Sequence, residues 1–122
     1  MAEVFLMEDS GPLRRVLSAQ LRNAGHNVIG FEHGLAGSDI DLMANAEVLV
    51  TDIAMPFVDG EEVIHSAQAR FPDLPIIVIS GEPQRGSDQL EVFGRLRKPF
   101  SEHSFTEMVQ KALHSRENPV PV

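Results

Sequence analysis

Four short apolar runs in this chain each end on a group that can bind a cation or a phosphoryl oxygen. Glu8-Asp9 follow Val4-Phe5-Leu6-Met7, and Asp52 follows Val48-Leu49-Val50-Thr51. Ser80 follows Ile76-Ile77-Val78-Ile79, and Lys98-Pro99 close the run from Phe93 to Arg97. If the runs are parallel strands, their carboxyl ends share one sheet edge, where open α/β sheets bind ligands. Three carboxylates, a hydroxyl and an ammonium would then meet in one pocket. An acidic, all-oxygen set suits a hard divalent cation. An ammonium suits a phosphoryl oxygen as a mobile point charge.

The elements that must position these groups follow from periodicity. Strands are expected at 3–7, 27–31, 47–51, 75–79 and around 93–97. The run at 47–51 has no charge after Glu47, as a strand buried on both faces requires. Helix one is expected over about 11–24, with Leu13, Val16, Leu17 and Leu21 as its apolar stripe. Pro12 is tolerated in its first turn and Gly25 stops it. A weaker second helix is expected at 35–44, interrupted by Gly37. A third spans 60–70, with Val63, Ile64 and Ala67 inward, and Phe71-Pro72 ends it. The last runs over 102–115, capped by Ser101, with Phe105, Met108, Val109 and Leu113 buried.

Between Ser80 and Lys98, Gly81, Pro83 and Gly86 oppose a regular helix. A fourth helix there is expected to be short or irregular. Asn118-Pro119-Val120-Pro121-Val122 cannot continue a helix and is expected as a frayed tail on a domain of residues 1–117. Alternating strands and helices imply right-handed crossovers in a parallel sheet. The expected fold is α/β: a doubly wound, flavodoxin-like sheet of order 2-1-3-4-5. Its switch point lies between strands one and three, flanked by Glu8-Asp9 and Asp52.

The bulk properties exclude several classes. The 122 residues suit one domain, with 43% hydrophobic and 23% charged residues. A net charge of −8 without a Lys/Arg block opposes nucleic-acid binding, which depends on neutralising phosphates. Cysteine is absent, which removes disulfides and thiolate metal sites. No apolar stretch reaches the roughly 20 residues of a membrane span, and no signal peptide is evident. The expected compartment is the cytoplasm.

At the residues of the first paragraph, the chain resembles the receiver domains of response regulators. The resemblance covers about 3–115. It rests on Glu8-Asp9, on Asp52-Ile53-Ala54-Met55-Pro56 with Asp59-Gly60, on Ser80-Gly81 and on Lys98-Pro99-Phe100. It implies that Asp52 accepts a phosphoryl group from a histidine kinase or a histidine phosphotransfer protein. A carboxylate is a weak nucleophile, so positioning and charge neutralisation must do most of the work. It implies Mg2+ held by Asp9 and Asp52, by Glu8 through water, and by the backbone carbonyl of Ala54. Lys98, after which a cis bond to Pro99 is implied, pairs with a phosphoryl oxygen. Ser80 bonds another once Asp52 is modified, and so acts as a switch.

Two departures from the family pattern stand out. Three residues before the lysine, where receivers carry a ring, this chain has Arg95. It is the second candidate switch residue, or a docking point for an acidic partner. The stretch from Ser80 to Lys98 is also short, and 81–92 is expected to be mobile until phosphorylation or a partner orders it. The expected output is contact with an unidentified partner protein or onward phosphotransfer, by a stand-alone monomer or weak dimer. The alternative is a degenerate receiver that binds partners without phosphorylation. A turnover phosphatase is disfavoured, because Ala54 stands where such enzymes place a second acid. Asp59-Gly60 reads as a turn, Arg14-Arg15 as a solvated face or a docking contact, and all five histidines as surface residues.

Overall fold

The computed structural model describes residues 2–35, 37–55, 59–81 and 91–117. Strands β1 (Glu3–Met7), β2 (Asn27–Phe31), β3 (Val48–Asp52), β4 (Ile76–Ser80) and β5 (Gly94–Arg97) form one sheet of order β2-β1-β3-β4-β5. All four pairings are parallel. Helices α1 (Gly11–Asn23), α2 (Gly60–Arg70) and α3 (Glu102–Glu117) and a 3₁₀ helix (Gly37–Asn45) cover the sheet. This is the expected doubly wound, flavodoxin-like topology.

Side chains alternate across each strand, so the sheet builds two cores. Val4, Leu6, Val48, Val50, Ile77 and Ile79 point to one face, where Leu17 and Leu21 of α1 and Phe105, Val109 and Leu113 of α3 close over them. Phe5, Met7, Leu49, Ile76 and Val78 point to the other, under the 3₁₀ helix and Val63, Ile64 and Ala67 of α2. β3 is buried along its whole length, Asp52 included, and its uncharged run 48–51 suits a strand covered on both faces.

The caps set the helix starts. The Ser10 hydroxyl accepts from the Leu13 amide, Asp59 Oδ1 from Glu61 N, and Ser101 Oγ from Ser104 N at 3.0 Å. Gly25 closes the turn after α1 with φ of 95°, a left-handed value that glycine adopts without strain.

Several expectations need correction. Val16 is 52% exposed, because α1 docks through the row Leu13, Leu17 and Leu21 at four-residue spacing, leaving Val16 on its flank. The second helix is 3₁₀, over Gly37–Asn45, rather than α over 35–44. Its buried Ile40 and Met43, followed by Ala46, recur every three residues, the 3₁₀ period. β3 and β4 run one residue later than expected, so Asp52 and Ser80 are the last strand residues. His26 is half-buried rather than on the surface, and its Nδ1 is buried with no hydrogen-bond partner among the described residues. Burial lowers its pKa. Of the 81–92 stretch, where a short or irregular fourth helix is expected, residues 82–90 lie outside the described residues, as does the 118–122 tail.

Candidate functional site

The registers that stack the strands also level their carboxyl ends. Met7 pairs with Thr51, Asp52 with Ile79, and Ser80 with Arg97. Glu8, Asp52, Ser80 and Lys98 therefore emerge along one edge, at the switch point between β1 and β3.

Glu8 is held on all sides. Its amide donates to the Phe31 carbonyl at 3.0 Å, and its own carbonyl accepts from Arg14 Nη1 at 2.7 Å. Its side chain is fully buried, although it directly follows a strand in a polar segment. Asp52 is 4% exposed, and its Oδ1 accepts from the Ala54 amide at 3.0 Å. Asp9 stands at the solvent side. One oxygen each from Glu8, Asp9 and Asp52 lies within 4.8 Å of the others, an acidic cluster that can hold a metal ion.

Lys98 joins two of these acids. Its Nζ donates to Glu8 Oε1 and to Asp52 Oδ2, both at 2.6 Å. Its amide donates to the Ser80 carbonyl at 2.7 Å, which fixes where the side chain starts, and the following bond to Pro99 is cis. Burial alone would lower the Lys98 pKa, but its bonds to Asp52 and Glu8 and their charges outweigh it, and the net direction is up. Burial pushes the Glu8 carboxyl up to about 7, with the acids Asp52 and Asp9 adding to the rise and Lys98 opposing it. A buried carboxylate pair beside one ammonium is a site short of positive charge.

The structure thus gathers Glu8, Asp9, Asp52 and Lys98, and Ala54 adjoins them through its amide bond to Asp52. Ser80 is half-buried at the same edge, one register position from Asp52. Arg95 is exposed on β5 opposite Val78.

Two contacts of the site were not legible from the sequence. Arg14 bonds the Glu8 carbonyl, although its position on α1 reads as a solvated face. Gly60 packs against the backbone after β3, its amide donating to the Ile53 carbonyl at 3.1 Å. A Cβ at Gly60 would overlap the Asp52 carbonyl oxygen. The only hint is a glycine at the first helical position, where capping alone does not require one.

Fold and acidic cluster together are those of a phosphorylation-based signalling module, and the comparisons agree. The family model described as the response regulator receiver domain matches residues 4–110, and the chain belongs to that family. It is similar to the response regulator receiver protein CpdR of Brucella abortus, 32% identical over 93% of this chain and 98% of the relative. It is 28% identical to the DNA-binding transcriptional regulator NtrC of Escherichia coli over 97% of this chain, but spans only 26% of that protein. A CheY-like receiver domain structure from Methanospirillum hungatei superposes with a TM-score of 0.86 at 17% identity, over 98% of this chain and 99% of the other, a likeness of fold. Receiver domains are signalling modules that interact with histidine kinases and output proteins. Among the described residues no helix is long and apolar enough to cross a membrane.

Proposed function

We propose that this protein is a Mg2+-dependent response regulator that accepts a phosphoryl group on Asp52 from a phosphohistidine partner, a histidine kinase or a histidine phosphotransfer protein. The observation that carries this reading is Lys98 Nζ at 2.6 Å from both Glu8 and Asp52 within the acidic cluster. A carboxylate oxygen of Asp52 attacks phosphorus as the phosphorus–nitrogen bond breaks, and the bonding pair leaves with the imidazole. Lys98 neutralises charge on the phosphoryl oxygens, and the Ser80 hydroxyl donates to one of them after transfer.

The donor set suits Mg2+, which takes carboxylate and carbonyl oxygens. Asp9, Asp52, the Ala54 carbonyl and Glu8 through water would hold it, and it would neutralise charge on the phosphoryl group. On this reading the module works in the cytoplasm, with no contact of its own to nucleic acid or membrane. It signals by protein contact or onward phosphotransfer.

The test is intact mass after incubation with Mg2+ and acetyl phosphate, beside Asp52→Asn. One phosphoryl gain, absent from the variant and after chelation, is the expected result. Arg95, where receivers carry a ring, favours a second reading: a partner-binding module indifferent to phosphorylation. No gain from acetyl phosphate or from a panel of phosphorylated kinases would select it.

A further inference from the structure

Helix α1 carries three arginines and no acidic residue, in a chain of net charge −8. Arg14, Ser18 and Arg22 stand at four-residue spacing and share one stripe of the helix. With Arg15 and Gly30 of β2 they line a groove of about 410 Å³. Small-ligand sites occupy roughly 300–1,000 Å³.

Three features make this groove more than a solvated face. Two guanidiniums are tethered: Arg14 to the Glu8 carbonyl at 2.7 Å and Arg22 to the Val28 carbonyl at 3.4 Å. Each guanidinium has five donors, so most stay available. The stem of Arg14 crosses Gly30 so closely that a Cβ there would lie 3.2 Å from its Cδ. Next, none of Arg14, Arg15 and Arg22 forms an ion pair among the described residues, despite 18 acids in the chain. The carbonyl tethers position their charge without cancelling it. Finally, Ser18 is only 6% exposed yet contributes to the wall. Among the described residues no aromatic or aliphatic side chain lines the groove, so guanidinium and hydroxyl groups are what it offers a ligand.

We propose that this groove binds adjacent phosphate groups, as carried by inorganic triphosphate or by a nucleoside triphosphate. Guanidinium forks match phosphate oxygens in pairs. A ligand made of charge and acceptors suits the guanidinium and hydroxyl donors of this wall.

The test is calorimetric titration of the full chain with sodium triphosphate, ATP and adenosine. EDTA is present, so that metal complexes at the acidic pocket do not contribute. One saturable site is expected for triphosphate, ATP or both, and none for adenosine. Equal affinities assign inorganic phosphates as the recognised group, whereas tighter ATP binding assigns the nucleotide. Arg15→Gln with Arg22→Gln, both on the exposed side of α1, is expected to weaken binding at least tenfold. Gly30→Val, which displaces the Arg14 stem, is the second variant and is expected to weaken it too. Amide shifts of Ser18 and Gly30 on titration locate the site. The proposal is overturned by lack of saturation at millimolar ligand, by unchanged affinity in both variants, or by sulfate binding as tightly as triphosphate. It is also overturned if a polyglutamate peptide binds these arginines more tightly than either phosphate ligand, because the groove would then be a surface for an acidic protein segment.

Discussion

Gly60 lies directly against the backbone of Asp52: a Cβ built on it would overlap the Asp52 carbonyl oxygen and stand 2.6 Å from Ile53 Cα. The first turn of α2 therefore supports the segment from which the Asp52 carboxylate projects. Asp59 caps that turn and the Gly60 amide bonds Ile53, so the two elements are locked at one point. The position of Asp52 is set from below as well as by its strand.

Gly60→Ala should accordingly do two things. It should destabilise the fold by about 1–3 kcal/mol, the usual cost of overpacking. It should also slow phosphoryl acceptance by Asp52 beyond any loss of folded protein, because the displaced atoms are backbone. Urea melts and acetyl phosphate kinetics on the same samples separate the two. Unchanged kinetics per folded molecule would mean that α2 supports the sheet only.

Lys98 bonds one oxygen each of Glu8 and Asp52, two of the three acids in the cluster that could hold a metal ion. Lys98→Met removes the competing cation, so the Mg2+ affinity of the acidic cluster should rise. Phosphoryl acceptance should fall roughly 100-fold, as when a preorganised donor is removed from a developing charge. Metal titration and phosphorylation rates should therefore move in opposite directions. If both fall together, Lys98 is organising the metal ligands rather than competing for them.

The Glu8 carboxyl, raised by burial from 4.5 to about 7, links stability to pH. Between those values the folded state holds a proton there that the unfolded state has released. Stability from this group is therefore greatest below pH 4.5 and is lost as pH rises through about 7, by up to ~3 kcal/mol. His26, with its pKa lowered by burial, acts in the opposite sense on acidification, so the comparison must cancel it. Glu8→Gln keeps His26 and removes the carboxyl. The stability difference between variant and wild type should shift in the variant's favour from pH 5 to pH 8 in metal-free buffer. A flat difference would show that Lys98 holds Glu8 ionised throughout.

Sequence alone reached the topology because the strand signals are strong and local: runs such as Ile76–Ile79 have one stable placement in an α/β sheet. It reached the gathering of Glu8, Asp9, Asp52 and Lys98 because parallel strands must level their ends. Other features depend on contacts between distant segments. Glu8 reads as a loop acid until Phe31 and Arg14 are seen to enclose its backbone. Gly60 reads as part of a turn until its distance to Asp52 is known. The 3₁₀ helix was hidden because residues 40 and 43, three apart, also fit an α-helical stripe.

Helix α1 offers the sharpest check of how its packing differs from its pattern. Val16 and Leu17 are adjacent and both apolar, and a periodicity reading buries both. In the structure Val16 is 52% exposed and Leu17 2%. Val16→Ser should change stability by no more than about 0.5 kcal/mol, as for other surface sites. Leu17→Ala should cost ~2–5 kcal/mol, because it opens a cavity in the core that α1 closes over the sheet. Comparable losses in the two variants would mean that α1 is rotated from the docking described, so that the Arg14, Ser18 and Arg22 stripe would no longer face β2.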